Sequence, residues 1–263
     1  MKLPIYYVDA FTEKVFHGNP AAVVIVKKDL TATTMQSIAF ENNLSETAFV
    51  NISLSPYSIR WFTPKIEVDL CGHATLASSR ILFDEYLPND CSHVIFDSNT
   101  RGRLKAFKKE DLIYLDFPAD ELKEAQQNNL IAEGLGEKPI HTYRGNDDYL
   151  AIFDDEEIIR GITPEFNILS QLDSRGLIIT APGVKVDFVS RFFAPQSGVD
   201  EDPVTGSAYT LMIPYWHSIL GKKKFSAKQL SFRSGNVECE LIKDRVLIGG
   251  KTVRYLEGEI VIK

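Results

Sequence analysis

Short apolar runs separated by turn residues fill most of the chain, and only a few stretches carry apolar residues at helical spacing. Residues 3–10 and 21–26 read as buried strands. Gly18-Asn19-Pro20 makes the turn between them, because Gly and Asn tolerate positive φ and Pro fixes the exit. A helix is predicted over about residues 30–40, with Thr31 as N-cap, Met35, Ile38 and Ala39 on one face, and Asn42-Asn43 as its stop. Strands follow at 46–50 and 59–63, then a helix at 73–86 with Ala74, Ala77 and Ile81 on one side, ending before Pro88. Residues 94–97, 103–107 and 112–117 read as strands, with Asn99 and Glu110-Asp111 as turns.

Phe117-Pro118 and the polar tract 125–129 read as a crossover, and 128–144 carries no clear pattern. The programme then restarts. Strands are expected at 149–153, 176–180 and 185–193, with a helix near 164–172. A second long helix runs over 207–220, where Pro214 removes one backbone bond and should kink it. Strands are expected at 229–233, 237–242, 245–249 and 252–256, and a last strand at 259–263 pairs with either half.

The restart is visible residue by residue. At an offset of 131, Arg60, Phe62, Pro64, Val68 and Asp69 fall on Arg191, Phe193, Pro195, Val199 and Asp200. With three further residues in the second copy, Gly72-His73-Ala74 falls on Gly206-Ser207-Ala208. Each copy is a strand, a loop and a helix start, which implies two related halves. The expectation is an α+β protein of two pseudo-symmetric lobes, 1–117 and 118–256, with strand 257–263 joined to the first.

Composition narrows the partners. A formal net charge of −7 excludes non-specific nucleic-acid binding, and the one basic block, Lys222-Lys223-Lys224, reads as a solvated helix end suited to the dipole. Three widely spaced cysteines, Cys71, Cys91 and Cys239, fit free thiols in a reducing compartment and lack the spacing of a metal site. No signal-peptide core or run long enough to span a bilayer is present, so a soluble cytoplasmic protein is expected. Phosphate loops of the GxGxxG or GxxxxGK type are absent, and no cofactor is expected.

Candidate chemistry collects at the repeated turns. Glu46 stands at the mouth of an apolar strand beside Phe49, where half-burial would raise its carboxyl pKa into the range of a general base; by composition alone an ordinary exposed Glu is the better reading. His73 opens a helix, as a group facing a cleft or as a ring bonded to a nearby carbonyl. At the offset of 131, Asp202 falls on Cys71. A symmetric epimerase would put thiols at both places, so the pairing counts against that reading. Asp202 also suits a turn cap before Pro203, and Cys71 a small buried apolar residue. The remaining histidines, His17, His93, His141 and His217, read as structural.

Six stretches, 9–11, 18–24, 43–49, 60–64, 69–75 and 201–208, together resemble the PhzF family of phenazine-biosynthesis-like isomerases. The resemblance implies the diaminopimelate epimerase-like fold, a strand-rich sheet wrapped around a long helix in each lobe, a cleft between the lobes, and a homodimer. It implies Glu46 as the proton-shuttling carboxylate, and His73 and Asp202 as cleft residues that bond substrate and assist proton transfer. Ser207, with the amides of Gly72-His73 and Gly206-Ser207, would hold a substrate carboxylate. The expected activity is a cofactor-independent isomerisation that moves a proton between carbons of a small carboxylate. The rivals are a two-base epimerase and a non-catalytic binding or interaction protein that keeps the cleft.

Overall fold

The computed structural model describes residues 1–99, 102–126 and 128–262. Gln127 of the expected crossover and Lys263 of the expected last strand lie outside the described residues. The chain divides into two compact units, Met1–Asp116 with Gly249–Lys263, and Phe117–Ile248.

The first unit holds β1 (Lys2–Ala10), β2 (Asn19–Val26), α1 (Ala32–Asn42), β3 (Glu46–Asn51), β4 (Tyr57–Phe62), β5 (Glu67–Val68), α2 (Gly72–Ile81), β6 (His93–Ser98), β7 (Gly102–Lys109) and most of β8 (Leu112–Pro118). Antiparallel pairs join β1 to β2, β3 to β4, β4 to β5, β6 to β7 and β7 to β8, while β2–β3 and β4–β6 are parallel. Helix α2 packs against β1, β2 and β3. Nine of its ten residues are buried, which requires its hydroxyls to find partners. Thr75, Ser78 and Ser79 each donate to the carbonyl four residues back, at 2.6, 2.7 and 2.8 Å. The expected continuation of this helix to Tyr86 takes the form of one π-helical turn over Leu82–Tyr86.

The second unit holds β9 (Lys123–Glu124), α3 (Asn129–Leu135), β10 (His141–Arg144), β11 (Asp148–Ile152), α4 (Glu156–Gly161), α5 (Phe166–Leu169), β12 (Gly176–Pro182), β13 (Phe188–Ala194), β14 (Val199–Glu201), α6 (Tyr209–Leu220), β15 (Lys224–Gln229), β16 (Gly235–Ile242) and most of β17 (Arg245–Gly250). Its pairings repeat those of the first. β10–β11, β12–β13, β13–β14 and β15–β16 are antiparallel, and β11–β12 and β13–β15 are parallel. Trp216 of α6 stacks on Phe188 of β13 at 5.2 Å and donates to Thr180 of β12 at 3.1 Å. Pro214 does sit inside α6. The carbonyl it leaves without a helical donor, that of Thr210, accepts instead from the Asp120 amide at 3.0 Å.

Four expectations are corrected. The strand expected at 229–233 is β15, five residues earlier, where Phe225, Ala227 and Gln229 alternate inward between exposed or half-buried neighbours. The single helix expected near 164–172 is α4 and the shorter α5. Lys222 of the basic block is not merely solvated but pairs with Asp187 at 2.5 Å. Residues 252–256, placed in the second lobe, open one continuous strand, β18 (Thr252–Val261), that pairs antiparallel along β1 in the first unit. The gap expected between the strands at 252–256 and 259–263 is absent, because the ladder passes through Gly258, which pairs with Ile5. Among the described residues no helix is long and apolar enough to cross a membrane.

Candidate active site

Three chemistry-bearing residues of the first unit meet where β3 starts and α2 begins. Glu46 is the first residue of β3, Cys71 is the N-cap of α2, and His73 is the second residue of α2. His73 Nε2 lies 3.0 Å from Glu46 Oε2, and Cys71 Sγ lies 3.5 Å from His73 Nδ1. The His73 and Cys71 side chains are buried and Glu46 is 17% exposed, so the carboxylate keeps an open side. The backbone carbonyl proposed as a partner for His73 is replaced by a carboxylate and a thiol.

Burial alone would strip His73 of its charge. The Cys71 sulfur and the Glu46 carboxylate outweigh it and hold the imidazole pKa well above its ordinary value. Burial and the Glu46 charge push the Cys71 thiol up to about 11, against the pull of His73. The raised His73 pKa favours its imidazolium form beside Glu46, and the Cys71 thiol stays protonated at neutral pH. A protonated thiol of this kind is a poor base.

The second unit carries a different group at the equivalent turn. Phe62 pairs with Thr47 and Glu67, and Phe193 pairs with Leu177 and Glu201. Arg60 clasps Glu67 through two hydrogen bonds of 2.6 Å, and Arg191 clasps Glu201 at 2.7 and 3.1 Å. These registers place Glu201 on Glu67, so the three extra residues enter before Glu201. The sequence pairing of Asp202 with Cys71 is corrected accordingly. Thr205, which like Cys71 is the extended residue before a glycine that opens a helical turn, stands at the place of Cys71. Asp202 falls on Val68.

The same registers place Gly176 on Glu46. A Cβ at Gly176 would lie 2.3 Å from Phe192 Cζ, so a side chain there would have to displace that ring. Beside it stands a residue that the sequence did not single out. Arg175 binds the buried Asp148 through Nε at 2.9 Å and through Nη2, and its Nη1 donates to Ser207 Oγ at 3.0 Å. Burial pushes the Asp148 carboxyl up, and Arg175 pulls it back only in part. No motif surrounds Arg175; the one usable signal was its place just before the strand that mirrors β3.

Asp202 is half-buried, and its carboxylate accepts from the Thr205 hydroxyl, so the turn-holding role is present. Gln229 fastens the same loop, donating to Asp202 O at 2.7 Å and accepting from Thr205 N at 2.9 Å. Gly206 and Ser207 open a 3-10 turn, Gly206–Ala208, that leads into α6. Helices α1, α3 and α4 are closed by their own N-cap side chains, from Thr31, Asn128 and Asp155. The turns beginning at Gly72 and Gly206 are not. Among the described residues neither glycine has positive φ, so backbone strain does not account for either. Both leave first-turn N–H groups for an acceptor from outside the helix.

The profile of the PhzC-PhzF family, described as phenazine biosynthesis-like protein, matches residues 8–258. An uncharacterised isomerase of Pseudomonas aeruginosa is 44% identical over 260 residues, covering 99% of this chain and 99% of its own. A crystal structure of a PhzF family protein of Enterococcus faecalis superposes with a TM-score of 0.95 at 45% identity, covering 100% of both chains. A predicted epimerase from Pseudomonas aeruginosa shares the fold at a TM-score of 0.79 and 15% identity, over 99% of this chain and 100% of that one. A match over nearly the whole length, joined to the repeated sheet-and-helix architecture, places this chain in the PhzC-PhzF family of phenazine biosynthesis-like proteins.

Proposed function

We propose that this chain is an isomerase that moves a proton between carbons of a small carboxylate, with Glu46 as the single acid–base group. The observation that carries the reading is the unequal pair of strand starts, Glu46 in one unit and Gly176 in the other, with His73 Nε2 3.0 Å from the Glu46 carboxylate. A carboxylate with one open side removes a proton from a carbon made acidic by conjugation or a neighbouring carbonyl, and the resulting carboxylic acid, open to solvent on that side, delivers a proton to another carbon. The imidazolium of His73 stabilises the negative charge that develops in between. Gly72, His73, Gly206 and Ser207 offer the donors for a substrate carboxylate, and Asp202 assists proton transfer. A two-base epimerase needs a second base in the second unit, where Thr205 and Gly176 stand in place of Cys71 and Glu46.

The test is incubation with candidate unsaturated and oxo carboxylates in heavy water, read by NMR for carbon-bound deuterium. Glu46→Gln should keep the fold and lower exchange by at least ~100-fold, the usual scale of acid–base catalysis. Near-parental exchange in that variant would remove Glu46 from the scheme.

A further inference from the structure

The Glu46–Cys71–His73 group is suited to more than proton transfer. It presents one oxygen, one sulfur and one nitrogen donor, all within 4.8 Å of one another. We propose that it binds one thiophilic divalent ion of the zinc class, and that the bound ion switches the enzyme off. The inhibitory part rests on the proton-shuttle reading of Glu46; the binding part does not.

Size comes first. Zinc bonds of about 2.3 Å to sulfur and about 2.0–2.2 Å to nitrogen and oxygen put donors on a tetrahedral ion roughly 3.3–3.6 Å apart. His73 Nε2 stands 3.0 Å from Glu46 Oε2 and 3.9 Å from Cys71 Sγ, which brackets that range. Glu46 Oε2 is buried and accepts no hydrogen bond, because its approach to His73 is close without being aligned. An ion that displaced the His73 proton would give this oxygen the directed partner it lacks.

Donor type comes next. Thiolate with imidazole selects zinc or cadmium over magnesium or calcium, which take oxygen ligands. Three protein ligands leave a fourth position for water or a ligand oxygen. Coordination releases the Cys71 thiol proton, with any proton on the coordinating His73 nitrogen, to the buffer, so affinity climbs with pH. With both Glu46 and His73 coordinated, neither can carry or stabilise the migrating proton.

The probes are Cd2+, read by the ultraviolet thiolate-to-metal charge-transfer band, and Zn2+, read by competition with a chromophoric chelator. The full chain and its Cys91→Ser variant should each take up one equivalent, more tightly at higher pH. Loss of a tuning partner alone costs 10–100-fold in affinity, so Cys71→Ser and Glu46→Gln, checked for fold by circular dichroism, should each lose at least ~100-fold. A band that persists in Cys71→Ser, or affinity equal in that variant and the parent, overturns the site. Saturating Zn2+ should also stop deuterium exchange; stoichiometric binding with exchange intact overturns the inhibitory part. Binding is measured without substrate, so its failure leaves the isomerase reading standing, while an active Glu46→Gln variant would defeat that reading and leave the ion site intact.

Discussion

Ser207 and Arg175 illustrate how much one contact constrains. A guanidinium has five donors and no acceptor, so the Ser207 oxygen must accept from Arg175 Nη1 and its own hydrogen must point elsewhere. Whatever meets that hydroxyl is an acceptor, as a carboxylate would be. Arg175→Gln should therefore weaken binding of a carboxylate ligand by at least ~10-fold, with Arg175→Lys recovering part, as read by calorimetric titration. It also strands the buried Asp148 carboxylate, which should cost on the order of 3 kcal/mol in urea denaturation at neutral pH. Adding Asp148→Asn should return most of that loss. His73 makes a prediction in pH. Its native pKa is raised, so its contribution to stability is whole below the unfolded value of about 6.5 and is lost as pH climbs through the native one. The parent should lose stability from neutral to alkaline pH relative to His73→Gln, measured as denaturation midpoints. Glu46, Gly72 and His73 were legible because they fall in recognisable runs. Arg175 was not, because its partners Asp148 and Ser207 lie 27 and 32 residues away in the chain.

At the scale of elements, strong periodicity was readable and short elements were not. Helices α1 and α2 and strands β1 to β4 fall close to where their patterns put them, and Asn43 closes α1 in the left-handed conformation at φ 48°. Helices α3 and α4 span seven and six residues, too few for a helical pattern to stand out. Strand β15 was misplaced because lysines at its start masked the alternation beneath them. Strand β12 carries a testable constraint at its first residue. Gly176→Ala pushes a methyl against the Phe192 ring and should destabilise the chain by about 1–3 kcal/mol, the cost of overpacking. Gly176→Ala combined with Phe192→Leu should recover stability in the same denaturation assay; a neutral single variant would show the ring to be freely displaced.

Over the whole chain, the offset of 131 was enough to read two related halves, because the sheet pairings recur in the same order in both. What the offset could not settle was where the second copy gained its three residues, since Val199-Asp200 matches Val68-Asp69 by letter and only the strand registers assign Glu201 to Glu67. The last strand does join the first half, as expected, but that residues 252–256 belong to the same strand was hidden, because pairing between residues about 250 apart leaves no local mark. That strand covers one side of β1, whose Leu3, Ile5, Tyr6 and Val8 are buried. A chain ended after Gly250 should expose a nine-residue edge and aggregate, which light scattering on the purified protein would show.

The doubled arginine–glutamate clasp bears on how the two halves drifted apart. Arg60–Glu67 and Arg191–Glu201 fasten the same loop to the same strand in each copy, although the side chains that follow are Cys71 and His73 in one and Thr205 and Ser207 in the other. After a duplication, a half whose loop is held in this way can exchange its reactive groups without losing its shape. One copy could then specialise in acid–base chemistry and the other in anion recognition. The division of labour would follow from a fastening that takes no part in either task.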